Sequence, residues 1–310
     1  MKKMTLQQDT QMTLADGCKK HYEYCRQRNL REGTLLHYQQ GYNHFYSYFG
    51  ADMPLSEINK SKYNDYIEYQ RDNLDNEITL KTYVKDFATV LHFLMEEGYI
   101  EPFKTQSIKA SGTHVETYTD EELQVLLRKP NLKTCTFREY ESWVIVNFLF
   151  STGVRRRSLI NIRISDIDFE NALVTIRVTK NGKVLIIPLN KTMITILQEF
   201  LNHRQHKSKD DWLFCNVYGK KLLKDTLYHI LWDYNKGRGI ETTGIHRYRH
   251  TFAKQWILNG GNVVALSRLL GHSNLNITQN YINLLTTDLS KQVDEINLLD
   301  KYAVKQRIKM

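Results

Sequence analysis

Apolar positions in the first hundred residues recur at the three-and-four spacing of helices, not at the alternation of strands. Leu14, Cys18, Tyr22 and Cys25 fall on one stripe, and Tyr38, Tyr42, Phe45 and Phe49 on a second. Tyr63, Tyr66 and Ile67 mark a third helix, and Leu80, Tyr83, Val84, Phe87, Leu91 and Leu94 form the clearest stripe, on a fourth. Thr34, Ser61 and Thr79 are placed to cap the second, third and fourth helices, and Gly98 to end the last. These aromatic-rich stripes read as core, and Lys81 and Lys85 lie on the opposite face of the fourth helix.

The periodicity stops at residues 104–117, a small, polar, slightly basic stretch that reads as a linker. The chain thereby divides into a helical domain over 12–103 and a second domain over 118–310. Thr119 and Glu122 make a capping-box pattern where the second domain starts. A strongly apolar helix follows at Trp143 to Phe150. Ala172 to Val178 and Val184 to Leu189 are rich in β-branched and aliphatic residues, with Lys180-Asn181-Gly182-Lys183 between them. Asn-Gly is a strong hairpin signal, because both turn residues must accept positive φ, so two lysines are expected at a hairpin tip. Helical patterns return at 192–203, 222–235, 247–259 and 262–270. The expected fold is mainly α with a small antiparallel β-sheet.

Composition narrows the classes. The 310 residues leave room for two domains, and only four prolines interrupt helices. A net charge of +9 is compatible with a polyanionic partner. Cys18, Cys25, Cys135 and Cys215 form no Cys-x-x-Cys pair, so no zinc ribbon or disulfide framework is expected, and a cytoplasmic setting follows. Met1 to Thr13 lacks the apolar run of a signal peptide, and no stretch is apolar and long enough for a membrane span.

Three stretches carry candidate chemistry. Ser151-Thr-Gly-Val-Arg155-Arg-Arg-Ser158 follows the apolar helix, and the turn at Gly153 sets Arg155 near the start of the next helix. There its planar fork can meet a phosphate. His246-Arg-Tyr-Arg249-His250-Thr251 sets two histidines four apart, but Arg247 stands where a zincin pattern needs Glu. Interleaved arginines suit an anion better than a cation, so neither a metal nor a cofactor is expected. The third stretch is Leu269-Leu270-Gly271-His272 followed by Asn276-Ile-Thr278-Gln-Asn280-Tyr281. Each alone has an ordinary explanation as solvated charge or packed ring.

Together, in this order, they resemble the tyrosine recombinases, the phage-integrase family that includes Xer-type enzymes, over residues 12–290. Thr152-Gly153-Val154-Arg155 resembles the first motif, and Arg155 matches its catalytic arginine. Thr179-Lys180-Asn-Gly-Lys183-Val-Leu-Ile-Ile-Pro188-Leu189 resembles the hairpin motif, with Lys180 matching the catalytic lysine and Lys183 the less favoured choice. His246-x-x-Arg249-His250 resembles the second motif, giving His246 and Arg249, and Leu270-Gly271-His272 gives a third-motif histidine. Tyr281, nine positions after His272, matches the nucleophile. Ser158 departs from the pattern, which usually has an acidic residue there to support the first arginine.

The resemblance implies a two-domain, C-shaped clamp with a helical core-binding domain, a linker at 104–117 passing around the duplex, and a catalytic domain over 118–310. It implies strand exchange through a 3′-phosphotyrosyl link with a free 5′-hydroxyl. Arg155, Arg249 and His272 would stabilise the phosphate oxygens, Lys180 would protonate the leaving oxygen, and His246 would accept the tyrosine proton or orient the phosphate. Lys81, Lys85, Arg156, Arg157 and Lys183 are expected DNA contacts. The expected partners are double-stranded DNA carrying an inverted-repeat core site and further copies of the chain. The latter would form a homotetramer on two DNA sites, with a monomer or weak dimer off DNA, and accessory DNA-bending proteins could join. Leu289, Val293, Ile296 and Leu299 mark a tail helix that would pack on a neighbouring subunit.

The biological role divides three ways: integration or excision of a mobile element, transposition, or Xer-like dimer resolution. No extra N-terminal arm-binding domain of about 60 residues is expected, which argues against a lambda-like arrangement; the slight Lys, Asn and Ile richness suggests an AT-rich bacterial source, as mobile elements often have, so mobile-element recombination in the nucleoid is the favoured expectation. A non-catalytic DNA-binding regulator would lack part of the polar set, yet Arg155, Lys180, His246, Arg249, His272 and Tyr281 are all present. A metal-dependent nuclease would need clustered Asp and Glu ligands, and none stands out.

Overall fold

The computed structural model describes residues 12–109, 116–180, 182–272, 274–275 and 278. It divides into two compact units, one up to Thr113 and the other from His114. Tyr281 and the expected tail helix lie outside the described residues.

The first unit holds α1 (Leu14–Gln27), α2 (Glu32–Phe49), α3 (Lys60–Asn73) and α4 (Glu77–Glu96). Their stripes meet in one core, where Leu14, Cys18, Phe45, Tyr63, Tyr66, Phe87 and Leu91 are buried. The expected caps are corrected at three helices. Asn59 caps α3 by accepting from Lys62 N, and Asn76 caps α4 by accepting from Ile78 N and Thr79 N. The short Asn side chain reaches the orphan amides of the first turn from a position just outside it, so Ser61 and Thr79 fall inside their helices. α2 begins before Thr34, with Arg31 at the N-cap and Glu32 in the first turn, where its charge complements the helix dipole. Gly98 ends α4 as expected, with φ +75°. Lys81 and Lys85 are exposed.

Residues 104–109 pack on this unit. Tyr63 Oη donates to Gln106 O at 2.8 Å, His92 Nε2 lies 2.9 Å from Thr105 Oγ1, and Ile108 borders the core. A stretch without periodicity can still be held by side chains from neighbouring helices.

The second unit is built on α6 (Phe137–Thr152), which is buried on nearly every face from Tyr140 onward, as the apolar run Trp143 to Phe150 requires. α8 (Lys191–His203), α9 (Lys224–Lys236) and α10 (Ile245–Leu258) pack around it. α5 (Asp120–Leu126) opens the unit with the expected capping box of Thr119 and Glu122. α7 (Arg156–Leu159) and α11 (Val263–Leu269) are short.

β1 (Ile167–Asp168), β2 (Leu173–Ile176) and β3 (Leu185–Pro188) form an antiparallel sheet in that order, with Thr175 opposite Ile186. The short β1 was not foreseen, since two residues carry no readable alternation. The β2–β3 ladder stops at Ile176 and Leu185, so the connection is longer than a two-residue turn. The backbone at 177–178 is drawn off the ladder. Arg177 Nε donates to the buried Asp166 at 2.6 Å, and Ser158 Oγ donates to Val178 O at 2.8 Å. Within the connection, Thr179 Oγ1 donates to Lys183 O, and Gly182 takes φ +77°.

Candidate active site

α6 ends where Gly153 adopts a left-handed φ of +60°. Arg155 then serves as the N-cap residue of α7. A Cβ at position 153 would stand 2.6 Å from Phe252 and 2.7 Å from Leu270. Gly153→Ala is therefore expected to lose about 2–4 kcal/mol of stability, combining left-handed strain with overpacking. Urea unfolding of the full chain measures this.

The Gly153 carbonyl accepts from Arg249 Nη1 at 2.6 Å. Arg249 lies on α10 and is 4% exposed, so its charge is held within the protein. Its Nη2 donates to Leu270 O at 2.8 Å and lies 2.9 Å from His272 Nε2. Arg155 Nη1 donates to the same Leu270 carbonyl at 3.1 Å. Two guanidinium groups from distant parts of the chain thus meet at one carbonyl. The turn after α11 supplies that carbonyl, and Gly271, with φ +59°, lets it form.

These groups line a cavity of about 420 Å³ with Val154, Ser158, Thr179, Lys183, Leu185 and Gly271. Ser158 is turned to the sheet, where it fastens α7 to the chain after β2. Arg155 is oriented in part by the backbone carbonyls of Leu270 and Gly271. An acidic residue at 158 is thus not the sole means of holding Arg155.

The surroundings push the histidines of the site toward the neutral form. Burial, followed by the charges of Arg249 and Arg155 and by His250, pushes His272 down to about 4. His250 is likewise pushed down to about 4 by burial, His246 and Arg249. Partial burial and the charges of Arg249, Arg156 and Arg155 lower His246. A negatively charged ligand would oppose these effects.

Of the residues singled out by sequence, the structure brings Arg155, Arg249 and His272 to one cavity, together with Lys183. Lys180 is exposed at the turn of the connection and does not line that cavity. His246 is exposed on α10, its ring 6.2 Å from that of His250. Arg156 is half-buried and Arg157 exposed. Sequence reasoning passed over Thr278, whose Oγ1 lies 2.8 Å from His272 Nδ1. Six positions separate the two, a spacing that no helical or strand rule marks as a contact.

The model of the phage integrase family matches residues 116–287, and that of the phage integrase SAM-like domain matches residues 13–110. The chain is a tyrosine recombinase of the phage integrase family. It is 30% identical over 216 residues to the tyrosine recombinase XerA of Pyrococcus furiosus, covering 69% of this chain and 73% of the relative. It is 24% identical over 270 residues to the tyrosine recombinase XerD of Listeria innocua, covering 83% of this chain and 90% of the relative. Among solved structures, the Tn1549 transposon integrase in complex with transposon right end DNA superposes with a TM-score of 0.71. Identity there is 18%, covering 94% of this recombinase and all of that chain. The fold is that of tyrosine recombinases, mostly helical with a small antiparallel sheet, and the protein is a site-specific recombinase.

Proposed function

We propose that this recombinase cuts and rejoins duplex DNA by metal-free transesterification at Tyr281, in the integration or excision of a mobile element. The observation that carries the chemistry is the convergence of Arg155, Arg249 and His272 on one cavity around the Leu270 carbonyl. Attack of a tyrosine oxygen on phosphorus places extra charge on the non-bridging oxygens. Two guanidinium forks and an imidazole are the donors such a charge needs. Each arginine leaves its carbonyl partners in part to meet the phosphate. The Tyr281 oxygen forms the bond to phosphorus, the bond to the 5′-oxygen breaks, and that oxygen takes a proton. The phosphodiester energy is kept in the ester, so the reverse attack reseals the strand.

The proton donor is a lysine of the β2–β3 connection. Lys180 matches the family position, while Lys183 lines the cavity. His246, near enough to sense Arg155 and Arg249, accepts the tyrosine proton or orients the phosphate. DNA is held by Lys81 and Lys85 on α4, and by Arg156 and Arg157 on α7. Four copies act on two sites, each an inverted-repeat core, with residues 284–299 exchanged between subunits and accessory DNA-bending proteins available to set direction. The domain limits 12–103 and 118–310, joined by 104–117, belong to the same reading.

The Tn1549 integrase, whose structure holds transposon right end DNA, is one protein of this fold with the mobile-element role. The Xer relatives favour a second one, resolution of chromosome or plasmid dimers. Sequencing the DNA that flanks the gene separates them. Inverted repeats around a short spacer at the ends of an inserted element support the first, and a single core site with no inserted element beside it supports the second. The chemistry is tested by covalent capture on a nicked duplex in EDTA. Full capture is expected, and a strict magnesium requirement would sink the metal-free mechanism.

A further inference from the structure

α10 is gripped on two sides. On one, Arg249 sends its fork to Gly153 O and Leu270 O. On the other, Arg247, Thr251 and Gln255 fall at i, i+4 and i+8 of the helix, on one stripe. All three hold residues 116–120, near the start of the second unit. Arg247 Nη2 donates to Thr117 O at 3.2 Å, and its Nη1 pairs with the Glu116 carboxylate at 3.3 Å. Its guanidinium stands 5.0 Å from the centre of the Tyr118 ring. Thr251 Oγ1 accepts from Tyr118 N at 2.9 Å and donates to Arg247 O at 2.7 Å. Gln255 Nε2 donates to Asp120 Oδ1 at 2.8 Å. The Tyr118 hydroxyl accepts from Asn235 Nδ2 at 2.9 Å, and Asn235 accepts in turn from Tyr248 of α10. Tyr118, Thr251 and Asn235 are buried, so water does not compete for these contacts.

We propose that Arg247 is a positioning residue for strand cleavage, which fastens α10 to residues 116–118 and so sets where Arg249 meets the scissile phosphate. This rests on reading the cavity as the phosphate site. Two positions along an α-helix are turned by about 200°, so Arg247 and Arg249 point to nearly opposite faces. A rotation or slide of α10 that loosened the first grip would displace Arg249. When a phosphate draws Arg249 partly from its carbonyls, the grip on Gly153 O and Leu270 O weakens. The stripe on the far face then keeps the helix in register.

Stability alone does not account for an arginine at 247. Its Nε is buried and finds no hydrogen-bond partner among the described residues. An apolar side chain covering the Tyr118 ring would avoid that cost. What arginine adds is a planar fork that reaches a carbonyl, a carboxylate and a ring at once.

The test is single-turnover capture of a nicked duplex by the full chain, followed against duplex concentration where urea titration shows each variant folded. Arg247→Met removes the fork and keeps an unbranched stem beside Tyr118. Its saturating rate is expected to fall about tenfold, or about 1.4 kcal/mol, with the half-saturating concentration within about twofold of the parent. Arg247→Lys keeps the charge but cannot span Thr117 O and Glu116 together. It is expected to show the same split at about threefold, and it carries the test if Arg247→Met does not fold. Added to Arg249→Ala, either change should slow capture by less than about twofold, because the group it positions is gone. Equal losses in both backgrounds would overturn the positioning role. So would an unchanged saturating rate beside a lower urea midpoint, the mark of a purely structural contact. A loss confined to the half-saturating concentration would also overturn it, making Arg247 a duplex contact. If Arg249→Ala itself captures at the parent rate, the phosphate reading of the cavity is what fails.

Discussion

Tyr281→Phe is expected to abolish covalent capture of a nicked duplex while leaving duplex binding within about twofold. The substitution removes one oxygen and no charge, so the cationic surface that meets phosphates is unchanged, whereas an ester to phosphorus has no atom from which to form. The sequence holds 19 tyrosines, and others compete for the role. Tyr248 lies inside the second motif, but it is 0% exposed and its hydroxyl donates to Asn235 at 2.7 Å. Burial raises its pKa well above the ordinary value, which suppresses the phenolate. Tyr218 and Tyr228 are exposed and make suitable controls. Tyr218→Phe and Tyr228→Phe are expected to capture DNA at the parent rate. A denaturant-resistant protein–DNA band from Tyr281→Phe would mean that another residue is the nucleophile.

Arg249→Ala is expected to lower capture by about 10²–10³-fold or more, the scale seen when one donor to a developing oxyanion is removed. The same change also affects the empty protein. Gly153 O loses the Arg249 Nη1 donor, and Leu270 O keeps the Arg155 contact at 3.1 Å. A stability loss of about 1–3 kcal/mol follows from an orphaned buried carbonyl. Arg249→Lys separates the two effects. It keeps a positive charge, but one ammonium cannot reproduce the planar fork that spans Gly153 O, Leu270 O and His272. Capture should therefore stay well below the parent rate even at temperatures where Arg249→Lys is fully folded. Thermal unfolding and capture kinetics on the same preparations decide it, and parent-rate capture by either variant would remove Arg249 from the chemistry.

How much was legible beforehand depended on the range of the interaction. The stripes on α1 to α4 and the apolar run of α6 could be read from spacing, since burial repeats with the helix period. The Gly153 turn and the Thr119 capping box were legible for the same reason, being set within a few residues. The caps of α2, α3 and α4 were misplaced because several polar residues lie near each start, and the one that wins is chosen by local geometry. The Asn181-Gly182 pair located the β2–β3 turn, but the length of the connection escaped it. Asp166 and Ser158, neither of them on the hairpin, draw Arg177 and Val178 off the ladder.

The sequence by itself determined the residue types, their order and the helices that carry them, and with these the family. Periodicity and caps are short-range properties written into adjacent residues. Only the tertiary structure decided that Arg155 and Arg249 share the Leu270 carbonyl, that Lys183 lines the cavity beside them, and that Thr278 holds His272. Packing of α10 against α6 brings Arg249 to the Gly153 carbonyl, and the turn after α11 closes over both arginines. Such contacts join segments about a hundred residues apart. No spacing rule records them, because the chain between can be lengthened or shortened without changing which groups meet.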